Sequence, residues 1–400
     1  MSSSSPSDDS DGPDRGAASV PAVRGAGPVR VLHLTKGLAA GGSERALVSL
    51  SGVADPEAVT YEVAYLLEGS RDLVPDLVAL GVPVHLIAGP RGMSDPRWLP
   101  RLLRLARRFD VVHLHSPAVA ALARPALRAM PRGPALVSSE WVMWSAYHPV
   151  TRVANALTLP LDHVRWAVSE GVVASSWAPW RARTELLFHG VPLAVLKDRR
   201  AERAAARAAQ GWADDDVVVV AVANLRVQKD YPTLFAAAAA AMAEEPRLRF
   251  VSIGQGPEER VLHDLLATYD MGDRFTMVGY HADPPGVVVG ADVFTLSSVQ
   301  EGLPFALLEA IALGVAPVVT DVGGNAEVVA DGTSGLVVPP RSPESLAEAY
   351  VRLARDDELR ASLAAAAAIR AEDFDIARTQ RIAEARYRSL VEGQRAKSSS

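Results

Sequence analysis

The stretch Asp292–Thr320, DVFTLSSVQEGLPFALLEAIALGVAPVVT, indicates the fold because it holds a strand, a helix and a second strand. Its first and last segments, Asp292–Leu296 and Pro317–Thr320, are short apolar runs typical of buried strands. Between them, Pro304 suits the first turn of a helix, where its missing N–H is no loss. Continuous apolar strands that alternate with helices predict a parallel sheet covered on both faces.

The same alternation continues through most of the chain, with helices such as Tyr231–Ala243 and Glu258–Tyr269 between the strands. The predicted strands are Val29–Thr35, Glu62–Leu67, Val84–Ile87, Asp110–His115, Leu136–Ser139, Val164–Ser169, Glu185–Phe188, Asp216–Ala223, Arg249–Ile253, Phe275–Gly279, Asp292–Leu296, Pro317–Thr320 and Gly335–Val338. We therefore predict an α/β protein with two Rossmann-like parallel-sheet domains whose carboxyl strand ends face a central cleft.

Composition divides the chain into five segments. Residues 1–27 are polar and of low complexity, which predicts a disordered tail. Residues 28–190 form the first predicted domain and 213–372 the second. The segment 191–212, with Pro192, a charge run and Gly211, is the predicted linker. In 373–400, the helical stretch Ile376–Glu392 is long enough to cross back to the first domain.

Charge and composition exclude several classes of protein. The chain has 400 residues, of which 49% are hydrophobic and 22% charged, the balance of a globular protein. A net charge of −6 argues against general nucleic-acid binding. The chain contains no cysteine, which excludes disulfides and thiolate metal sites. No signal peptide or membrane-spanning run is evident, so we expect a cytoplasmic protein.

Two acidic residues lie where a ligand of the second domain is expected. Glu301 is in the loop at the carboxyl end of the strand Asp292–Leu296, and Glu309 falls in the second turn of the next helix. The amino terminus of that helix offers unpaired backbone N–H groups and a positive dipole end. A diphosphate would fit there, and a carboxylate can accept hydrogen bonds from both hydroxyls of a ribose.

The spacing of Glu301 and Glu309, the GLP after Glu301 and the GG-x-x-E run from Gly323 to Glu327 resemble family 4 of the retaining GT-B glycosyltransferases, the glycosyl transferases group 1. The resemblance covers nearly the whole chain after the tail. It implies that Glu301 faces the transferred sugar and that Glu309 binds the nucleotide ribose. The donor would also contact residues Gly302, Leu303, Pro304, Phe305, Asn224 and Gly254.

A basic cluster follows the first strand of the second domain. Lys229 is one of only four lysines among 41 basic residues. The resemblance implies that an arginine and a lysine here bind the donor diphosphate and neutralise the leaving group. Lys229 matches the lysine, but Asn224 stands at the position of the arginine. We expect Arg226 to substitute for it.

The first domain contributes its own candidates. Gly41 and Gly42 form a glycine-rich turn, for which the resemblance implies contact with acceptor and donor phosphate. His113 and His115 point to one face of their strand. The resemblance implies an active-site histidine in this segment, and we favour His115 because it is nearer the carboxyl end of the strand. Glu140, at the end of the next strand, is a candidate to meet the acceptor.

We expect no metal and no cofactor besides the donor. The pair Asp373 and Asp375 has the acid-x-acid form of metal-dependent transferases, but it precedes a terminal helix, where capping is the simpler use. The arginine-rich stretch Arg97–Arg108 could place the first domain peripherally on the inner face of a membrane. A helix packed on the sheet with a basic solvent face is the alternative.

The resemblance implies a retaining, metal-independent transferase that moves a sugar from a nucleotide-diphosphate sugar to a hydroxyl of a glycan, a lipid-linked acceptor or a small molecule. Donor sugar, base, acceptor and oligomeric state are open at this stage. Two alternatives share the frame: a nucleotide-sugar epimerase, and a non-catalytic sugar- or nucleotide-binding relative.

Overall fold

The computed structural model describes residues 27–39, 41–89 and 92–399. All of the predicted tail except Gly27 lies outside the described residues. The strands are β1 Val29–Thr35, β2 Val59–Tyr65, β3 Val84–Leu86, β4 Val111–Leu114, β5 Ala135–Glu140, β6 Val164–Ala167, β7 Glu185–Leu186, β8 Val217–Val222, β9 Leu248–Ile253, β10 Phe275–Gly279, β11 Val293–Leu296, β12 Ala316–Thr320 and β13 Leu336–Val338.

These strands form two parallel sheets, one in each half of the chain. The first has the order β3-β2-β1-β4-β5-β6-β7 and the second β10-β9-β8-β11-β12-β13. Each predicted strand is present, with ends that differ from the prediction by up to three residues. The predicted fold class of two Rossmann-like parallel-sheet domains is confirmed.

Helices cover both faces of each sheet. They are α1 Gly42–Gly52, α2 Val74–Ala79, α3 Trp98–Ala106, α4 Pro117–Arg128, α5 Pro149–Thr158, α6 Glu170–Ser175, α7 Ala178–Arg181, α8 Leu193–Arg199, α9 Arg203–Gln210, α10 Tyr231–Glu244, α11 Glu259–Leu266, α12 Pro284–Val288, α13 Phe305–Ala312, α14 Asn325–Val328, α15 Pro343–Arg355, α16 Asp357–Arg370 and α17 Ile376–Ser399. Short 3-10 turns join several of them, including Val227–Lys229 before α10.

The central strands are apolar along their whole length because both faces of each sheet are covered. Residues Val217–Ala221 of β8 are all buried, and so is every residue of β11 and β12. The apolar runs from which the strands were predicted are therefore the residues that form the core.

The segment 191–212, predicted as a linker, contains α8 and α9. Helix α8 packs against α13 and helix α9 against α12 of the second domain. Arg203 and Arg207 of α9 pair with the carboxylate of Asp292 at 2.6 and 3.0 Å. Part of the charge run on which the linker prediction rested therefore forms ion pairs with the second domain.

The terminal helix α17 crosses back to the first sheet, as predicted. The hydroxyl of Tyr387 lies 2.7 Å from Nδ1 of His113, and the Gln380 amide donates to the hydroxyl of Tyr61 at 2.7 Å. The Thr379 hydroxyl donates to the carbonyl of Phe188 at 2.9 Å. Residues at the end of the chain therefore complete the core of the first domain.

Candidate active site

A cavity of about 820 Å³ opens between the two domains at the carboxyl ends of their strands. Of the predicted site residues, the first domain contributes Gly41 and Gly42, and the second contributes Asn224, Arg226, Lys229, Gly254, Glu301, Gly302, Leu303, Pro304, Phe305 and Glu309. The fold therefore brings residues far apart in sequence to one cleft. His115 and Glu140 are not part of its lining.

Lys229 and Glu301 form an ion pair in the cleft wall. The ammonium of Lys229 lies 2.6 Å from Oε1 of Glu301, and the Ser298 hydroxyl donates to the same oxygen at 2.5 Å. The two loops are tied together, since Ser297 Oγ donates to the carbonyl of Lys229 at 2.9 Å. Both charged groups are thus held by their loops in defined positions, with little rotamer entropy left to lose on binding a ligand.

Glu309 faces the cleft from the second turn of α13. Burial raises the pKa of its carboxyl group to about 7. Arg45 of the first domain favours the ionised form of this carboxylate across the cleft. A partner that donates hydrogen bonds, such as a vicinal diol, would stabilise the ionised carboxylate in this position.

The glycines of the GLP and GG-x-x-E motifs are required by close backbone packing. A Cβ on Gly302 would lie 2.1 Å from the carbonyl oxygen of Trp141 in the first domain. Gly323 has a φ of +52°, and a Cβ there would lie 2.0 Å from the carbonyl oxygen of Glu301. Only glycine fits both positions, so these motifs set the distance between the loops around Glu301.

His115 lies behind the cleft wall, with 5% of its surface exposed. Its Nε2 is 2.8 Å from Nδ1 of His33, and the indole N–H of Trp141 donates to its Nδ1 at 3.3 Å. Burial lowers the pKa of His115 well below the usual value, so the ring is neutral. His115 itself does not line the cleft, but it contacts Trp141, which does. Its role as the active-site histidine stays a prediction.

His33, His113 and His115 offer ring nitrogens within 4.8 Å of one another, although their sequence spacing did not suggest a metal site. Both nitrogens of His113 already lie within hydrogen-bond distance of hydroxyls, Tyr387 at 2.7 Å and Ser139 at 2.8 Å. A metal ion would have to replace these contacts and the contact between His33 and His115. None of the three histidines lines the cleft, whereas Trp141, which contacts His115, does.

Glu140 is also placed away from the cleft. Its carboxylate accepts hydrogen bonds from the Tyr147 hydroxyl at 2.8 Å and from the Asn155 amide at 2.9 Å. Burial raises the pKa of this carboxyl group. Strand β5 directs the side chain into the first domain, so Glu140 does not line the cleft. Its contact with an acceptor stays a prediction.

The cleft holds residues that the sequence did not single out. Arg45, Trp141, His189 and Tyr280 all line it. Arg45 follows the glycine-rich turn directly, and its place in GGSER could have drawn attention to it. Trp141 directly follows Glu140 at the end of strand β5, and nothing in the local pattern distinguishes His189.

Asp373 and Asp375 lie outside the cleft lining. Asp373 pairs with Arg378 at 3.3 Å, and Asp375 Oδ1 accepts from the backbone N–H of Ala377 at 3.1 Å. The second contact is the capping role expected before a terminal helix. Both residues therefore form contacts at the start of helix α17 or in the segment just before it.

The arginine-rich helix α3 packs its apolar side on the first sheet. Trp98, Leu102 and Ala106 are buried, whereas its arginines are exposed. Arg97 pairs with Asp95 at 2.8 Å. No helix of the described residues combines the length and the apolar character needed to cross a membrane.

Comparison with known proteins points to one family. Residues 202–370 match the model of the family described as glycosyl transferases group 1. The chain is 34% identical over 174 residues to the alpha-D-kanosaminyltransferase of Streptomyces kanamyceticus, covering 43% of this chain and 45% of the relative. It is 31% identical over 222 residues to the D-inositol 3-phosphate glycosyltransferase of Kribbella flavida, covering 53% and 52%. The chain thus spans about half the length of these relatives.

Solved structures share the fold over a larger part of the chain. The Anabaena protein Alr3699/HepE, crystallised in complex with UDP and glucose, superposes with a TM-score of 0.77 at 21% identity. The match covers 89% of this chain and 99% of that protein. This similarity supports the two-domain GT-B fold.

Proposed function

We propose that this chain, which resembles the glycosyl transferases of group 1 over residues 202–370, transfers a sugar from a nucleoside-diphosphate sugar to an acceptor hydroxyl. The observation that carries the proposal is the Lys229–Glu301 pair in a cleft between two Rossmann-like domains. Opposite charges held side by side can serve the two ends of a glycosyl diphosphate. The ammonium suits the diphosphate and the carboxylate suits the sugar hydroxyls.

The donor would bind mainly to the second domain. Glu309 would accept hydrogen bonds from the ribose hydroxyls, and Lys229 with Arg226 would contact the diphosphate. Arg226 is exposed and lines the cleft, and Arg45 offers a further cation from the first domain. The amino terminus of α13, where Pro304 provides no side-chain cap, adds unpaired N–H groups.

We infer a metal-independent reaction with retention of configuration. Cationic side chains beside the leaving diphosphate would stabilise the charge that develops as the glycosidic bond breaks. Retention would follow if the acceptor attacks from the face that the diphosphate leaves, with a departing phosphate oxygen taking the acceptor proton. Glu301 would orient the sugar from within this arrangement.

The experiment that tests the proposal is incubation with a nucleotide sugar, first alone and then with an acceptor, under excess chelator. Since HepE was crystallised with UDP and glucose, UDP-sugars are the first donors to test. A glycosyl product that forms only with acceptor supports a transferase. An altered donor sugar without acceptor would indicate an epimerase, and binding without turnover would indicate a non-catalytic relative. A strict need for added Mg²⁺ or Mn²⁺ would contradict the metal-independent step.

The acceptor side of the first domain has a surface suited to an anionic bilayer. Residues 96–161 contain nine arginines and two acids in a chain with net charge −6. Seven of these arginines are exposed, whereas Arg124 and one of the acids, Glu140, are buried. On α5, Val150, Val153 and Leu157 are 69%, 46% and 73% exposed along one side. Because the apolar side of α3 is buried, its arginines would act by charge and α5 would supply the apolar contact.

This surface makes a lipid-linked acceptor and peripheral membrane contact part of the proposal. Flotation with vesicles of phosphatidylglycerol and phosphatidylethanolamine should recover the wild-type protein. The variant Arg101→Glu/Arg104→Glu should float less, and neutral vesicles should recover neither protein. Equal recovery of wild type and variant with both lipid mixtures would contradict membrane contact through α3.

A further inference from the structure

His189 lies at the junction of the two domains, between strand β7 and helix α8. It lines the cleft, yet only 3% of its surface is exposed. Neither the motifs discussed above nor the proposed contacts of the donor assign it a role. A polar side chain buried in a ligand cleft is normally matched by hydrogen-bond partners.

The ring of His189 is held in place from several sides. It stacks on Phe305 with ring centres 3.8 Å apart and an angle of 9°, and Trp141 lies 5.7 Å away. Its Nε2 is 2.7 Å from the carbonyl oxygen of Leu303. Leu303 and Phe305 belong to the loop and helix start that follow Glu301, so the ring bridges the first domain and the predicted donor loop.

The contact with Leu303 determines which ring nitrogen carries the proton. A carbonyl oxygen only accepts hydrogen bonds, so Nε2 of His189 must be the donor. Burial lowers the pKa of His189 to about 4, which leaves the ring neutral at pH 7. In a neutral imidazole protonated at Nε2, the other nitrogen, Nδ1, is a hydrogen-bond acceptor.

Nδ1 of His189 is buried and has no hydrogen-bond partner among the residues that the structure describes. Leaving a buried acceptor unpaired destabilises the folded protein. A ligand that donates a hydrogen bond would remove this cost. The lone pair would repel a phosphate oxygen, so the chemistry favours a neutral group that donates a hydrogen bond, such as a sugar hydroxyl.

We propose that Nδ1 of His189 accepts a hydrogen bond from a hydroxyl of a sugar bound in the cleft. This inference rests on the proposed function and adds a sugar-binding residue to it. The hydroxyl can belong to the sugar of the donor or to a sugar acceptor, because the ring lies between the donor loop and the first domain. The stacked, hydrogen-bonded ring is already oriented, so binding would cost little further ordering.

Two substitutions separate the functions of the two ring nitrogens. In His189→Gln, the amide can reach the position of Nε2 and keep the bond to Leu303, but no acceptor remains near Nδ1. In His189→Asn, the shorter amide can place an oxygen near the position of Nδ1 and gives up the Leu303 bond. A purely structural role predicts the greater damage in the asparagine variant, whereas sugar binding predicts it in the glutamine variant.

The test is calorimetric titration of wild type and both variants. The probes are UDP, GDP, their hexose conjugates, and the free hexose added to the nucleotide complex. We expect His189→Gln to weaken the affinity for either the hexose conjugate or the free hexose about three- to tenfold, which is the effect of losing one neutral hydrogen bond. The affinity for the free nucleotide should not change. Lower affinity for the conjugate would show that His189 binds the sugar of the donor. Lower affinity for the free hexose would show that it binds the acceptor. His189→Asn should retain more of the sugar affinity.

Unchanged sugar affinity in His189→Gln, or an equal loss for free nucleotide and conjugate, would overturn the inference while leaving the proposed function intact. A wild-type protein that binds none of the nucleotides would instead overturn the proposed function and this inference with it. Thermal unfolding of both variants checks that each is folded under the conditions of the titration.

Discussion

The ion pair between Lys229 and Glu301 gives a prediction for the chemical step. If Lys229 neutralises the departing diphosphate, Lys229→Ala should lower kcat by about 10²–10³ and not merely raise KM. Arg226→Ala should show the same pattern if it replaces the arginine whose position Asn224 occupies. Steady-state kinetics at saturating acceptor measure both, with the exposed Arg104→Ala on α3 as the control. An unchanged kcat in Lys229→Ala would refute the leaving-group role.

Glu301 should behave differently from Lys229 although they are paired. In Glu301→Gln the ammonium of Lys229 loses its carboxylate partner and can contact a diphosphate without competition. We expect transfer to be lost while affinity for the free nucleotide is unchanged or increased. In contrast, Glu309→Ala should weaken nucleotide binding directly. Calorimetric titration with UDP compares the variants, and equal loss of affinity in both would contradict their separate roles.

Glu309 also makes stability depend on pH. Its folded-state pKa, about 7, is above the usual value of 4.5, so the folded protein loses stability as pH rises from about 4.5 to 7, when the carboxyl group ionises. Glu309→Gln should therefore increase the free energy of unfolding at pH 8 by about 1–3 kcal/mol and change it little at pH 5. Urea unfolding at the two pH values tests this. The exposed Glu348→Gln should show no such difference, and equal effects of Glu309→Gln at both pH values would argue against ionisation as the cause.

At the scale of elements, the loops around the cleft depend on backbone packing between domains. Gly302→Ala places a Cβ 2.1 Å from the carbonyl oxygen of Trp141, so one of the two loops must move. We expect a loss of about 1–3 kcal/mol in stability and a fall of at least about tenfold in kcat/KM, because Glu301 is adjacent. Gly69→Ala, where a Cβ would meet no atom within 4 Å, is the matched control. A Gly302→Ala variant as stable and active as that control would show that the loop can move freely.

At the scale of the whole molecule, helix α17 joins the end of the chain to the first domain. Tyr387 is buried between His113 and Trp166, with ring centres 5.9 and 5.7 Å away. Tyr387→Ala should lower the free energy of unfolding by about 3–5 kcal/mol, as large-to-small core substitutions do. Ile382→Ala on the same helix should cost no more than about 0.5 kcal/mol, because that side chain is 47% exposed. Thermal or urea unfolding compares them, and similar values would show that α17 adds little to the core.

Local pattern was sufficient to predict the elements of this protein. Short apolar runs separated by helical stretches are present wherever both faces of a parallel strand are buried, so the thirteen strands of the described residues could be predicted from the sequence. The exact ends of the strands could not be predicted in this way. A strand ends where its hydrogen bonds to the neighbouring strand stop, and that depends on the neighbour. The docking of α8 and α9 was missed for a related reason: the partners of their charges, such as Asp292, are distant in sequence.

For the site, the sequence by itself determined which loops carry the charged groups, since a strand end followed by Glu301 or Lys229 places both at the same edge of one sheet. Only the tertiary structure decided what those groups contact. In the structure His115 and Glu140 are buried and hydrogen-bonded to neighbouring side chains, because the direction of a side chain at a strand end depends on the elements packed beside it. It also brought Arg45, Trp141 and His189 to the cleft. Periodicity records burial along one element, whereas a site between two domains is defined by distances across the chain that no local pattern contains.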